Sequence, residues 1–171
     1  VVVELLILAP IIIPSIAVVL GIHSVFISIS LTNTIFGVIL VHLIPTIPYM
    51  TLVMSSIFSN FDTDFEFQAR SLGASSMKTF YYVTLPVILP GVVIGGLFSF
   101  LVSWSQYILT LIIGGGKILT LPLLLFSFAT SGRNEITGAI GIIYILPGII
   151  ILIFTTKYLS RRNVIGVFGR I

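Results

Sequence analysis

The residues able to do chemistry in this chain are few. Two histidines, five carboxylates and eight lysines or arginines are spread over 171 residues, and cysteine is absent. Without thiols there is no disulfide, no thiolate metal site and no cysteine nucleophile. His23, beside Ser24 and close to Ser28, falls in a neutral connection and reads as a solvated loop histidine. His42 lies inside an apolar run, where a ring nitrogen must find a partner or water, so it is a functional candidate. Its first reading is a structural hydrogen bond to a neighbouring helix, helped by carbonyls released at Pro45 and Pro48. A proton- or substrate-handling role is the second. Serines are plentiful, yet no nucleophile elbow and no two-histidine zinc spacing accompany the histidines, so neither a hydrolase nor a metal site is indicated. Gly116-Lys117 matches the end of a phosphate-binding loop, but Leu111 occupies the place of its first glycine and Ile118 that of its serine or threonine. ATP should not bind there, and no cofactor is expected on this chain.

The elements that must position these residues are membrane helices. Hydrophobic residues make up 57% of the chain and charged ones 8%, with a mean hydropathy of +1.25, whereas about a quarter of a soluble domain is charged. The net charge of +3 does not point to nucleic acid, because the basic residues gather at the ends of apolar runs and form no stripe. About 20 apolar residues are needed to cross a bilayer. Four runs qualify: Val3 to Leu20, Asn33 to Ser59, Pro86 to Ile113 and Thr137 to Leu159. The expected fold is therefore an all-α, polytopic membrane helix bundle with four spanning helices, a single domain over residues 1–171. The chain opens inside an apolar run, VVVELLILAP, and is read as incomplete at its N-terminus, with Glu4 near enough to a span's start to reach the interface. Pro10 and Pro14 interrupt the first run, and Asn33 is placed as the cap of the second. In the third, Gly91, Gly95, Ser99 and Ser103 recur every fourth residue, a ridge of small side chains that admits a second helix at close range, with Gly96 widening the groove. Ser99, Ser103, Ser105, Gln106 and Tyr107 put polar groups at membrane depth, either joining helices or lining a water-filled path. Ile118 to Ala129 is too short to span and reads as interfacial or re-entrant. Asn134 is placed to cap the last helix, Pro147-Gly148 to bend it, and Lys157, Arg161 and Arg162 to close it.

One stretch, DTDFEFQARSLGASSMKTFYYVTLPVILPG from Asp62 to Gly91, combines charge, caps and helical periodicity. Thr63 and Glu66 have capping-box spacing, and Asp64 suits the positive end of a helix. Phe65, Ala69 and Leu72 fall on one stripe, and Glu66 and Arg70 make an i, i+4 pair. Gly73 should end this helix in a left-handed residue, and Ser75 or Ser76 should start another bearing Met77, Phe80, Tyr81 and Thr84. Pro86 should begin a new direction. Asp62, Asp64, Glu66, Arg70 and Lys78 would each cost roughly 2.5–3.5 kcal/mol near a bilayer centre, so the segment lies outside the membrane. Two amphipathic turns joined by glycine offer a knob for a soluble partner; helices lying flat on lipid are the alternative.

This segment resembles the cytoplasmic loop of permease subunits of binding-protein-dependent ABC importers of the MetI-like type. That signature reads Glu-Ala-Ala, three residues, Gly, nine residues, Ile, one residue, Leu-Pro. Here Ala69, Gly73, Val83, Leu85 and Pro86 stand at the matching positions, while Phe67 replaces the Glu and Gln68 the first Ala, with Glu66 one residue earlier. The resemblance runs over nearly the whole chain, through NTIFGVILVHLIPTIPY and PGVVIGGLFSFLVSWSQYILT. It implies that residues 62–85 form a coupling helix docked in a groove of a cytoplasmic ATPase, involving Phe65, Glu66, Phe67, Gln68, Ala69, Arg70, Leu72, Gly73, Leu85 and Pro86. It also implies a second permease copy or paralogue, two ATPase subunits carrying the ATP and magnesium, and an extracytoplasmic solute-binding protein. Residues SWSQYILTLIIGGGKILTLPLLLFSFATSG are similar to the iron, thiamine and polyamine branch of such permeases. In the same family a His commonly precedes a Pro-Tyr pair, matched here by His42, Pro48 and Tyr49.

With four spans, loop 62–85 and the C-terminus share a side and collect Arg70, Lys78, Lys157, Arg161, Arg162 and Arg170, against Lys117 and Arg133 opposite. The positive-inside rule makes that side cytoplasmic, in a multi-pass protein of the cell membrane. An ion-coupled secondary transporter or channel is the rival reading. It would call for carboxylates deep in a span, and Glu4 and Glu135 sit at ends.

Overall fold

The computed structural model describes residues 2–161 and, within them, helices joined by short turns. The first apolar run is two helices, α1 (Val2–Ile12) and α2 (Ser15–Ser28), bent by 110° at the break. Pro14 is the cause. It has no N–H for the ladder, and its ring drives Ile13 out of helical geometry, so α2 starts afresh from an extended Pro14 (φ −54°, ψ 131°). His23, Ser24 and Ser28 therefore lie in α2, not in a connection. α3 (Ile35–Ser59) follows the second run closely. Its cap is Thr34, whose hydroxyl accepts from Gly37 N–H at 3.0 Å; Asn33, at φ +61°, turns the corner before it and binds Ile113 O through its own N–H at 2.7 Å.

The outlying segment is α4 (Asp64–Ser71), a turn at Gly73, and α5 (Ser76–Thr79). Beyond α5 a π-helical turn, Phe80–Thr84, leads into α6 (Leu85–Trp104), so that Ser76–Trp104 is one apolar helical run of 29 residues. Pro86 does not change direction, contrary to expectation. The wide turn stands where Pro86 withholds a donor and its ring crowds the carbonyl four residues back; Leu85 N–H reaches Phe80 O instead. The third span thus begins ten residues early and also ends early. At Ser105–Tyr107 the helix stops, and α7 (Ile108–Gly114) returns into the bundle. Gly115 (φ +53°) closes α7 against Asn33, whose Oδ1 would lie 1.7 Å from any added Cβ. α8 (Leu121–Thr130) is short, as expected, and α9 (Asn134–Arg161) crosses as a long helix containing Pro147. Among the described residues three helices are long and apolar enough to span, or four when the bent α1–α2 pair is counted as one. Arg162 and Arg170 lie outside the described residues.

Two seams hold α2, α3, α6 and α7 together, while α1 packs on α3 and α8 on α9. The ridge on α6 lies on α3: Gly91 faces Ile57, Gly95 faces Met50, Ser99 O–H donates to Thr46 O at 3.4 Å, and Ser103 meets His42. Small residues bring the two backbones close enough for dispersion contacts along the whole seam, which is what drives helix association where lipid removes the hydrophobic difference. The second seam joins α2, α3 and α7 through Val19, Val38, Val41, Leu109 and Ile113, all buried. α9 is attached to α6 at Trp104, which stacks on Tyr144 (ring centroids 6.0 Å apart) and donates its indole N–H to Tyr144 O at 3.0 Å. Elsewhere α9 exposes Ile142, Leu152 and Phe154, an apolar surface that only lipid or another protein subunit would tolerate.

Candidate functional site

Residues from three helices converge on His42. Its Nε2 lies 2.8 Å from Thr110 Oγ1 and its Nδ1 2.9 Å from Ser103 Oγ. Thr110 already donates its proton to Gln106 O at 2.9 Å, so its oxygen is left to accept from Nε2–H. The neutral imidazole then accepts from Ser103 O–H at Nδ1, and every polar atom of the group is satisfied. His42 thus joins α3 to α6 and α7 by side-chain hydroxyls, not by the carbonyls freed at Pro45 and Pro48. One turn on, Thr46 returns its hydroxyl to His42 O at 3.0 Å.

Beside this group is a cavity of about 210 Å³, walled by Phe100 and Trp104 and edged by His42, Ser103, Gln106 and Thr120. The helix break at Ser105–Tyr107 borders it, as expected of irregular backbone at membrane depth, which must face protein or an aqueous space. Thr120 holds a buried hydroxyl with no partner among the described residues. Of the polar residues picked out in the third run, Ser103 and Gln106 edge the cavity. Ser99 is taken up by the α3 seam, Gly91 and Gly95 are buried there, and Tyr107 points away to the ring of Phe126 at 4.4 Å. Thr110 and Thr120 were not legible as site residues, because a lone threonine in an apolar run gives no sign of what a distant helix brings to it.

The second candidate site is α4 and its surroundings. The capping box does not form: Thr63 is helical and makes no side-chain cap, and Asp62 Oδ1 accepts from Asp64 N–H at 2.9 Å in its place. Glu66 makes no ion pair with Arg70; its carboxylate accepts from the hydroxyl of Thr84 in the π turn. Thr84 is buried and Glu66 half-buried, so this side of α4, with Ala69, faces the long helix. Phe65, Phe67, Gln68, Arg70 and Leu72 are exposed, Leu72 at 90%. An open groove of about 460 Å³ runs between Asp64, Phe67, Gln68, Ser71 and Leu72. Gly73 takes φ +86° and ends the helix as expected, with its N–H on Arg70 O and Ala74 N–H on Ala69 O. Ser75 caps the next helix, accepting from Lys78 N–H at 3.4 Å. Leu85 and Pro86 are the first residues of α6, immediately after the π turn. Among the described residues no cluster of His, Asp or Glu could hold a metal ion.

Known proteins with similar sequences are transport permeases. The Putrescine transport system permease protein PotI of Escherichia coli (strain K12) is 33% identical over 114 residues, 67% of this chain and 40% of that protein. The Spermidine/putrescine transport system permease protein PotC of Haemophilus influenzae is 26% identical over 150 residues, 88% of this chain and 58% of the relative. The Molybdenum transport system permease protein ModB of the same species is 30% identical over 130 residues, 74% and 56% of the two chains. The chain thus spans about half the length of the curated relatives it matches. The model of one family, described as "Binding-protein-dependent transport system inner membrane component", matches residues 1–164, and this chain belongs to that family.

Proposed function

We propose that this chain is the membrane-spanning subunit of an ATP-driven importer, forming part of the pathway for a small solute and docking a cytoplasmic ATPase through residues 62–85. The observation that carries this reading is the geometry of α4. It is a short helix outside the apolar runs, braced against the long helix through Glu66 and Ala69, with Phe65, Phe67 and Leu72 exposed around the rest of its surface. Each of these side chains would contribute roughly 1.5–3 kcal/mol on full burial, enough to seat a partner's groove. The chain itself does no bond chemistry. ATP and magnesium belong to the ATPase subunits, and closure of two of them displaces α4 and with it the helices it is fixed to, in an alternating-access cycle. A second permease copy or paralogue covers exposed apolar faces such as that of α9, and an extracytoplasmic binding protein delivers the solute. The cavity beside His42 lies on the pathway side in this reading. Its lining holds no charged side chain, and the relatives' names cover putrescine, spermidine and molybdenum, so selectivity rests with the binding protein.

The test is a single cysteine at Phe67, which is exposed and has no native thiol to compete with it. In the assembled transporter it should cross-link to the cognate ATPase, and the absence of any cross-link in a complex active in transport rejects the docking. Orientation has its own test. Cysteines at Leu72 and Lys117 should react with an impermeant maleimide from opposite sides of the membrane, Leu72 from the cytoplasm. The rival ion-coupled reading predicts transport that persists without ATP and collapses with an ionophore.

A further inference from the structure

Glu66 is one residue away from the place the family signature assigns to an acid, and the fold turns it inward. Its carboxylate accepts from Thr84, 18 residues later in the chain, and Thr84 is only 7% exposed. α4 is therefore attached to the long helix twice: covalently at its C-terminal end through Gly73 to Ser75, and at its first turn through Glu66. Asn60 to Thr63 join its other end to α3 and not to the long helix, so without Glu66 it could swivel on the long helix about the glycine turn. A helix held at both ends does not.

The π turn decides where the second attachment lands. In a regular α-helix a residue five positions on is rotated by about 140° from the first, so Thr79 and Thr84 would look in different directions. Within Phe80–Thr84, where Leu85 N–H bonds Phe80 O, five residues complete a turn and both threonines are buried. From Thr84 onward, Ile88, Gly91 and Gly95 continue the buried stripe at spacings of four, three and four, and Gly91 and Gly95 are the residues that lie on α3. The face that grips Glu66 is thus the same face that grips α3 further down.

We infer that Glu66 is a positioning residue. With Thr84 it locks α4 onto the seam between α6 and α3, so that a displacement of α4 enters the membrane helices as a rigid-body motion and is not lost in rotation about Gly73. This rests on the docking reading above, and it assigns the carboxylate to the permease itself, not to the ATPase.

The test uses the assembled transporter in nanodiscs, with nitroxide labels at Gln68→Cys and Val87→Cys, both exposed positions of a chain without cysteine. The reading is the width of the label-to-label distance distribution, with and without ATP. The lock predicts one narrow distribution that ATP leaves in place. Glu66→Gln and Thr84→Ser should keep it, since an acceptor oxygen and a donor hydroxyl remain, whereas Glu66→Ala and Thr84→Val should broaden it about two-fold, and the double variant no further. Glu66→Ala as narrow as the parent, or Glu66→Gln as broad as Glu66→Ala, overturns the inference. So does loss of the ATPase on purification from Glu66→Ala but not from Thr84→Val, which would place the carboxylate on the partner. Failure of docking is separately visible as missing Phe67→Cys cross-links in the parent, with the narrow distribution unaffected.

Discussion

Two alanine substitutions five residues apart on one helix should have opposite effects on stability. A Cβ added at Gly91 would lie 2.5 Å from Ile57 Cγ1, 3.2 Å from Cδ1 and 3.4 Å from Cβ, while one added at Gly96 meets nothing within 4 Å. Comfortable carbon contacts begin near 3.5 Å, so at Gly91 something must retreat by about 1 Å. Ile57 is poorly suited to do so, because branching at Cβ leaves it few rotamers and Cγ1 is one bond from the branch. Overpacking of this kind costs about 1–3 kcal/mol. Both substitutions share the gain of about 1 kcal/mol from replacing glycine inside a helix, which cancels between them. Gly91→Ala should therefore unfold more easily than Gly96→Ala by about 1–3 kcal/mol, with Gly96→Ala at least as stable as the parent. Gly95→Ala should fall between, since its Cβ would meet Met50 Sδ at 2.4 Å and a thioether yields more readily. The assay is unfolding of the purified membrane chain in mixed micelles at rising SDS mole fraction. It is followed by the fluorescence of Trp104, the sole tryptophan, which stacks on Phe100 at 5.6 Å where α6 ends. Equal midpoints for Gly91→Ala and Gly96→Ala would refute the claim that the α3–α6 seam depends on backbone approach at Gly91.

His42→Leu removes two side-chain bonds within the bundle and should lower stability by about 1–3 kcal/mol, at roughly 0.6–1.7 for each bond. A double-mutant cycle with Ser103→Ala should return a coupling of one such bond, and a coupling near zero would remove His42 from the seam. Gly73→Ala forces a Cβ into a left-handed residue at a cost of about 1–2 kcal/mol. The amides of Gly73 and Ala74, bonded to Arg70 O and Ala69 O, should then exchange about 5- to 30-fold faster, and unchanged protection would mean the turn does not need glycine. Lys117→Ala should leave ATP turnover by the assembled transporter unchanged, because Gly116-Lys117 lacks the flanking residues of a phosphate loop.

Much of the architecture follows from solvent choice and length. Runs of apolar residues near 20 long have to be helices, because lipid offers their backbones no other partner, and the stretch around Asp64 is kept out of lipid by the cost of burying its charged side chains. Gly73, Ser75 and the second and last spans were readable from such local rules. Elsewhere the same rules pointed to elements that the packed chain does not form. Thr63 and Glu66 are spaced for a capping box, but Thr63 is itself helical, the Glu66 N–H goes to Thr63 O, and Thr84 offers the Glu66 carboxylate a buried hydroxyl. Pro86 suggested a corner, and a wider turn absorbed it.

What the amino-acid order settles alone is the class of molecule: a polytopic helical membrane protein whose 171 residues hold one charged stretch between apolar runs and no cysteine. What required the folded chain is every relation between distant positions. Pro14 turning one span into a bent pair, α7 folding back beside Val19 and Val41, His42 finding Ser103 and Thr110, and Glu66 finding Thr84 all depend on which helix lies beside which. The physical reason is that hydropathy and caps act over a few residues and are written in the local sequence. The His42–Ser103 bond across 61 residues needs the close approach that Gly91 and Gly95 give α6 on α3, and the His42–Thr110 bond across 68 residues needs α7 packed on α3 through Val38, Val41, Leu109 and Ile113.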